Sequence, residues 1–140
     1  MKRKVIDIVN RVQKRKALGI IYNIPKSDET LLHNKLLDEH HLILRGKDVY
    51  TNQMLNYRLG NKLKIKHFSF DMLPALIDSK VIIITGADII KDSYTRVIED
   101  CSKYRIPLML LMNKDQKMSD LRKLPVYNKI LTIEQNYQTL

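Results

Sequence analysis

The sequence predicts an α/β protein, a three-layer α/β/α sandwich, and three observations predict it. Val81 to Ile84 is a β-branched run without alternation, as in a strand covered on both faces. Leu108 to Leu111 is a second such run, opened by Pro107, which a strand tolerates at its first position. Between them Ile89, Ile90, Val97, Ile98 and Cys101 recur at helical spacing. A strand, a helix and a strand in this order place the two strands side by side and parallel. Ligands of such sheets meet the carboxyl ends of the strands. The sheet as a whole is expected to be mixed, with a helical and mixed extension at the N-terminus.

The remaining elements follow in order. Lys2 to Leu18 reads as a helix, with Val5, Ile8, Val9 and Val12 on an apolar stripe and Lys2, Arg3, Lys4, Arg11, Lys14, Arg15 and Lys16 outside it. Gly19 suits its C-terminal cap. Ile20 to Ile24 reads as a short strand stopped by Pro25. Ser27 or Asp28 is placed to cap a helix from Glu29 to His40. Leu42 to Leu44 forms a strand, and Asp48 to Leu59 a helix ended by Gly60-Asn61. From Lys62 to Phe68 the residues alternate, so a strand is expected with Lys62, Lys64 and Lys66 in a row on one face. Asp71 to Asp78 is a short helix with Pro74 in its first turn. Ser119 to Leu124 is a helix, and Lys129 to Ile133 the last strand. A boundary near Gly46 to Thr51 divides residues 1–50, a basic extension, from residues 51–140, the main domain.

Composition narrows the function. The chain has 140 residues and a formal charge of +10. Domains this basic commonly meet polyanions, namely nucleic acid or anionic membrane. No apolar stretch is long enough to span a bilayer, and the basic start lacks the apolar core of a secretory signal. Cys101 is the single cysteine, which excludes a disulfide framework and a thiolate cage. An intracellular, reducing compartment, cytoplasm or nucleolus, is the expectation.

Catalytic constellations are absent from the pattern. Gly19, Gly46, Gly60 and Gly86 are scattered, and none builds a Walker or dinucleotide fingerprint. Asn113-Lys114-Asp115-Gln116 follows a buried strand but lacks the acid a guanine-specificity loop places two residues after its lysine. His33, His40 and His41 lie near one helix and with Glu39 offer a candidate zinc set, against the commoner case of surface histidines beside acids. Asp88 ends a strand and suits a helix N-cap better than a ribose or metal. Cys101 lies on an apolar stripe, as a core residue rather than a nucleophile. No enzyme, cofactor or metal is expected.

From Leu55 to Leu140 the order of elements resembles the kink-turn-binding ribosomal-protein superfamily. The matching residues are Leu59-Gly60, Lys80 before Val81 to Ile84, Ala87 and Asp88 after it, Cys101 to Tyr104 with Ile106-Pro107, and the pair Ser119 to Leu124 and Ile130 to Ile133. The family's RNA-reading segment falls at Phe68 to Pro74, where only Asp71 keeps the acidic character, and its late Leu-Gly is replaced by Leu121-Arg122. The resemblance implies a non-catalytic RNA-binding subunit of a ribonucleoprotein such as a ribosome or a ribonuclease P-like particle. Its partners would be structured RNA, ribosomal or other non-coding, and other subunits of the particle. The expected contact gathers Arg58, Lys62, Lys64, Lys66 and His67 with Ser69 and Asp71, and Asn113, Lys114 and Lys117 from the neighbouring loop. Such a lysine row binds phosphates without reading sequence. The alternatives are a Rossmann-like nucleotide or small-molecule site at Thr85-Gly86-Ala87-Asp88, and a protein–protein adaptor.

Overall fold

The computed structural model describes residues 2–46, 49, 52–76, 81–87 and 93–140. The elements are α1 (Lys2–Arg15), β1 (Leu18–Ile24), α2 (Lys26–Asp38), β2 (Leu42–Arg45), α3 (Asn52–Leu63), α4 (Leu73–Leu76), β3 (Ile82–Thr85), α5 (Ser93–Lys103), β4 (Leu108–Asn113), α6 (Met118–Arg122) and β5 (Thr132–Asn136). The strands form one sheet in the order β2-β3-β4-β1-β5. Asp88 and Lys80 lie outside the described residues.

The sandwich is as the sequence predicts, but the sheet is not mixed: all four described pairs are parallel. The reason is the connections. Helical segments separate every strand from the next, and a parallel pair requires such a crossover. The two strands read first from the sequence are neighbours, with Ile82 opposite Leu108 and Ile84 opposite Leu110. Alternate residues serve opposite layers. Ile20, Ile82, Ile84, Leu108 and Leu110 pack with α3, α5 and α6 through Leu55, Leu59, Val97, Ile98 and Leu121. Ile21, Ile43, Ile83, Met109 and Leu111 pack with α1 and α2 through Val5, Val9, Val12, Leu32 and Leu36.

The first fifty residues do not stand apart from this domain. β1 is hydrogen-bonded between β4 and β5, and β2 forms the edge beside β3. Short strands whose partners come from distant sequence look isolated when read locally, which is why β1 and β2 suggested an added piece.

Helix ends also differ from expectation, for one repeated reason. α1 stops at Arg15, and Lys16 takes φ 51°. Ala17 N–H donates to Val12 O at 3.1 Å, and Lys16 N–H to Gln13 O at 3.3 Å. This is the Schellman closure, with lysine where glycine is usual. Lys64 (φ 58°) closes α3 and Arg105 (φ 55°) closes α5 with the same pair of bonds. Gly19 is therefore a strand residue, and Gly60 lies inside α3 rather than ending it. The helix continues through Lys62, so the expected strand at Lys62–Phe68 does not form; Ile65 to Ser69 is a turn.

Candidate functional site

In a doubly wound sheet the ligand position lies where adjacent strands send their connections in opposite directions. Here that point falls between β1 and β4: the chain leaves β1 toward β2, and leaves β4 toward β5. A cleft of about 470 Å³ opens there, lined by Lys26, Glu29, His33, Arg45, Gly86 and Asn113 among others.

The segment joining β1 to α2 has a frame that a search for clustered glycines misses. Residues 23–30, NIPKSDET, have the length of the phosphate loop G-x-x-x-x-G-K-[ST]. Asn23 stands at the first glycine, Asp28 at the second, Glu29 at the lysine and Thr30 at the hydroxyl position. Asn23 keeps the left-handed backbone that glycine favours, with φ 64°. The chemistry is reversed, however. Glu29 places a carboxylate where the motif carries its cation, and Oε2 accepts from Asn113 Nδ2 at 3.2 Å. Asn113 also donates to Ile24 O at 3.4 Å. Gly86 takes φ 59°, a backbone that strains any side chain, and its Cα faces the Glu29 carboxylate, with an added Cβ 2.6 Å from Oε1.

The rest of the loop is committed as well. Pro25 has no N–H. Asp28 N–H donates to Pro25 O at 3.0 Å, and its carboxylate accepts from Tyr137 Oη at 2.7 Å. Asp28 and Glu29 in the first turn of α2 already answer the positive end of its dipole. A phosphate entering here would meet carboxylates instead of free N–H groups. Thr85 is buried and donates to Leu44 O at 3.3 Å, so the Thr85-Gly86-Ala87 loop serves strand packing. Burial holds the His33 imidazole below its usual range; Arg45 and Lys62 push the same way, against Glu29.

The residues expected to contact RNA are dispersed. Lys62 lies in the last turn of α3, Lys64 caps it and Lys66 lies in the turn; all three are exposed, as is His67. They form no in-line row. Lys66, His67 and Ser69 do line a second cleft of about 550 Å³ between α3 and the turn, together with Asn56, Tyr57 and Phe68. Ser69 Oγ donates to the Asp71 carboxylate, so these two satisfy each other. Arg58 is half-buried, its Nε without a hydrogen-bond partner among the described residues. Asn113 belongs to the strand-end cleft, while Lys114 and Lys117 are exposed on the loop after β4.

The densest cationic surface is α1. Its stripe is sealed into the sandwich, with Val5, Val9 and Val12 at most 1% exposed. At 3.6 residues per turn, Arg3, Lys14, Asp7, Arg11, Lys4 and Arg15 fall in that order within about 120° of the outer circumference. All are exposed, and none of these cations makes an ion pair with a described residue. Cys101 is buried, and desolvation pushes its thiol far up, the state of a packing residue. Among the described residues no set of three or more His, Cys, Asp and Glu side chains is grouped to hold a metal ion. No described helix is long and apolar enough to cross a membrane.

No protein-family model matches this sequence, and no curated protein matches it. Solved structures match in fold. One is the structure of Drosophila ORC bound to AT-rich DNA and Cdc6, with a TM-score of 0.61 and 12% identity. Another is Drosophila ORC bound to poly(dA/dT) DNA and Cdc6 in its conformation 1, with a TM-score of 0.61 and 14% identity. Each match covers 96% of this chain and 28% of the other, so this chain spans under a third of the chains it resembles. At this identity the likeness is one of fold.

Proposed function

We propose that the chain is a non-catalytic nucleic-acid-binding subunit of a larger assembly. The observation that carries the reading is the outer face of α1: cations that pair with no described residue, along a helix whose apolar side is already buried. An amphipathic helix that enters a membrane needs that apolar side free. With the side sealed, α1 offers charge alone, which suits a phosphate backbone. Two further points support the reading. Glu29 in the lysine position opposes nucleotide binding at the strand ends. The fold likeness is to proteins whose structures were solved on DNA. The ribonucleoprotein reading is the narrower form, with structured RNA as the polyanion.

The test is fluorescence anisotropy with a labelled DNA duplex and an RNA hairpin across a salt series. Both should bind, with affinity falling as salt rises. Changing Arg11, Lys14 and Arg15 together to Gln should flatten the slope of log K against log salt by roughly two to three units. The melting temperature should hardly change. A preference for the hairpin selects the ribonucleoprotein form. Absence of binding to either, or an unchanged slope in the variant, overturns the proposal, as does adenosine or guanosine triphosphate bound at micromolar concentration.

A further inference from the structure

The cleft between α3 and the turn after it combines features the strand-end cleft lacks. Tyr57 is 61% exposed on its wall, an unusual exposure for a ring of that size. His67, also exposed, and half-buried Phe68 line the same cleft, with Phe68 braced edge-on by Phe70 at a centroid distance of 6.0 Å. Asn56 lines the same cleft, and its Oδ1 is buried with no hydrogen-bond partner among the described residues. A buried amide left unsatisfied costs free energy until a ligand meets it. Lys66 lines the cleft, is exposed and makes no ion pair with a described residue.

Each feature selects part of one ligand. Exposed aromatic rings favour a flat, unstacked ring. An unsatisfied side-chain amide favours a group with donors and acceptors on its edge. An unpaired lysine on the wall favours a phosphate beside that ring. We infer that this cleft receives an unpaired base of a single-stranded nucleic acid, stacked on Tyr57 and hydrogen-bonded to Asn56, with Lys66 on a flanking phosphate. A base paired in a duplex has its faces covered and cannot enter. The inference rests on the nucleic-acid reading but uses a surface other than α1.

The experiment compares fluorescein-labelled dT12, rU12, an abasic deoxyribose-phosphate strand of equal length, and a duplex of equal charge. Tyr57→Ala should weaken dT12 and rU12 about tenfold and leave the abasic strand and duplex unchanged. Tyr57→Phe, which keeps the ring, should restore binding. Asn56→Leu should weaken the base-bearing strands with the salt slope unchanged. Tyr57 is exposed, so the folded state should survive its replacement, which a thermal melt checks. If the abasic strand binds as tightly as dT12, the base pocket is wrong while the polyanion reading stands. If no strand or duplex binds at all, both fall. Tighter binding of rU12 than dT12 places the 2′-hydroxyl within reach; equal binding leaves the pocket's contact to the base alone.

Discussion

The two clefts treat their polar groups in opposite ways. At the strand ends, Glu29 is held by Asn113, Asp28 by Tyr137, and Thr85 by the backbone of β2. In the cleft beside α3, the Asn56 oxygen and the Lys66 side chain find no such partners among the described residues. The first site holds the position where doubly wound sheets take ligands, yet its chemistry is turned inward. The second has no privileged place in the topology, yet its chemistry is left open. Fold indicates where a site can be; the unsatisfied groups indicate where one is. The internally paired cleft should therefore respond to mutation in stability, and the open one in binding.

The largest effect is expected at Gly86. A valine there must hold a left-handed backbone, at about 1–2 kcal/mol. Its Cβ would also stand 2.6 Å from Glu29 Oε1, but that is the end of a flexible side chain that can move aside, so the contact adds little. The loss is therefore about 1–2 kcal/mol, a noticeable share of the roughly 5–15 kcal/mol that holds a domain together. Urea denaturation of Gly86→Val measures it, and the binding of single strands by the folded fraction should be unchanged. A loss below about 1 kcal/mol would show that Gly86 does not need its left-handed backbone.

Gly60 tests the other cleft. Inside α3 its conversion to alanine should add about 1 kcal/mol from helix propensity alone. The structure opposes that gain. A Cβ would stand 2.8 Å from the carbonyl oxygen of Ile65 and 3.2 Å from Phe68, so the returning turn would have to move. Gly60→Ala is expected to leave stability lower by about 1 kcal/mol, and to weaken single-strand binding by several-fold through the displaced turn. A stabilised variant with full affinity would mean that the turn does not press on the helix.

The same two regions divide what the sequence made legible. The runs Val81 to Ile84 and Leu108 to Leu111 announced buried parallel strands, because a strand covered on both faces needs no alternation. The stripe of α1 was equally clear. The turn after α3 was not. Lys62 to Phe68 alternates in composition, but the alternation belongs to a helix end capped by a left-handed lysine and a turn beyond it. No local pattern separates that from a strand. The cap was hidden because Lys16, Lys64 and Arg105 do what glycine normally does. The strand-end site was hidden differently: its frame, Asn23 to Thr30, was present in full, but a search keyed to glycine and lysine passes over asparagine, aspartate and glutamate. The unpaired Asn56 oxygen had no sequence signal at all, since only packing decides which amides lose their water.

The smallest effect sharpens the strand-end cleft by pH. The Tyr137 phenol is pushed up to about 12, by burial first and then by its hydrogen bond to Asp28 and the charge there. In the unfolded chain a tyrosine ionises near pH 10. Between pH 10 and about 12 the folded state therefore keeps a proton that the unfolded state gives up. The stabilisation is complete below pH 10 and is lost as pH rises through the folded value. Tyr137→Phe keeps the ring in the core and removes the hydroxyl, so it should cost about 1 kcal/mol at neutral pH, the worth of one hydrogen bond. It should also shrink the alkaline decline measured by urea denaturation at pH 9, 10 and 11. Some decline must persist, because burial, and then the bond to Glu134, also hold the Tyr127 phenol above its usual range. An alkaline slope identical in the variant would mean that Tyr137 does not lock the start of α2, and that Asp28 is free to turn toward the cleft.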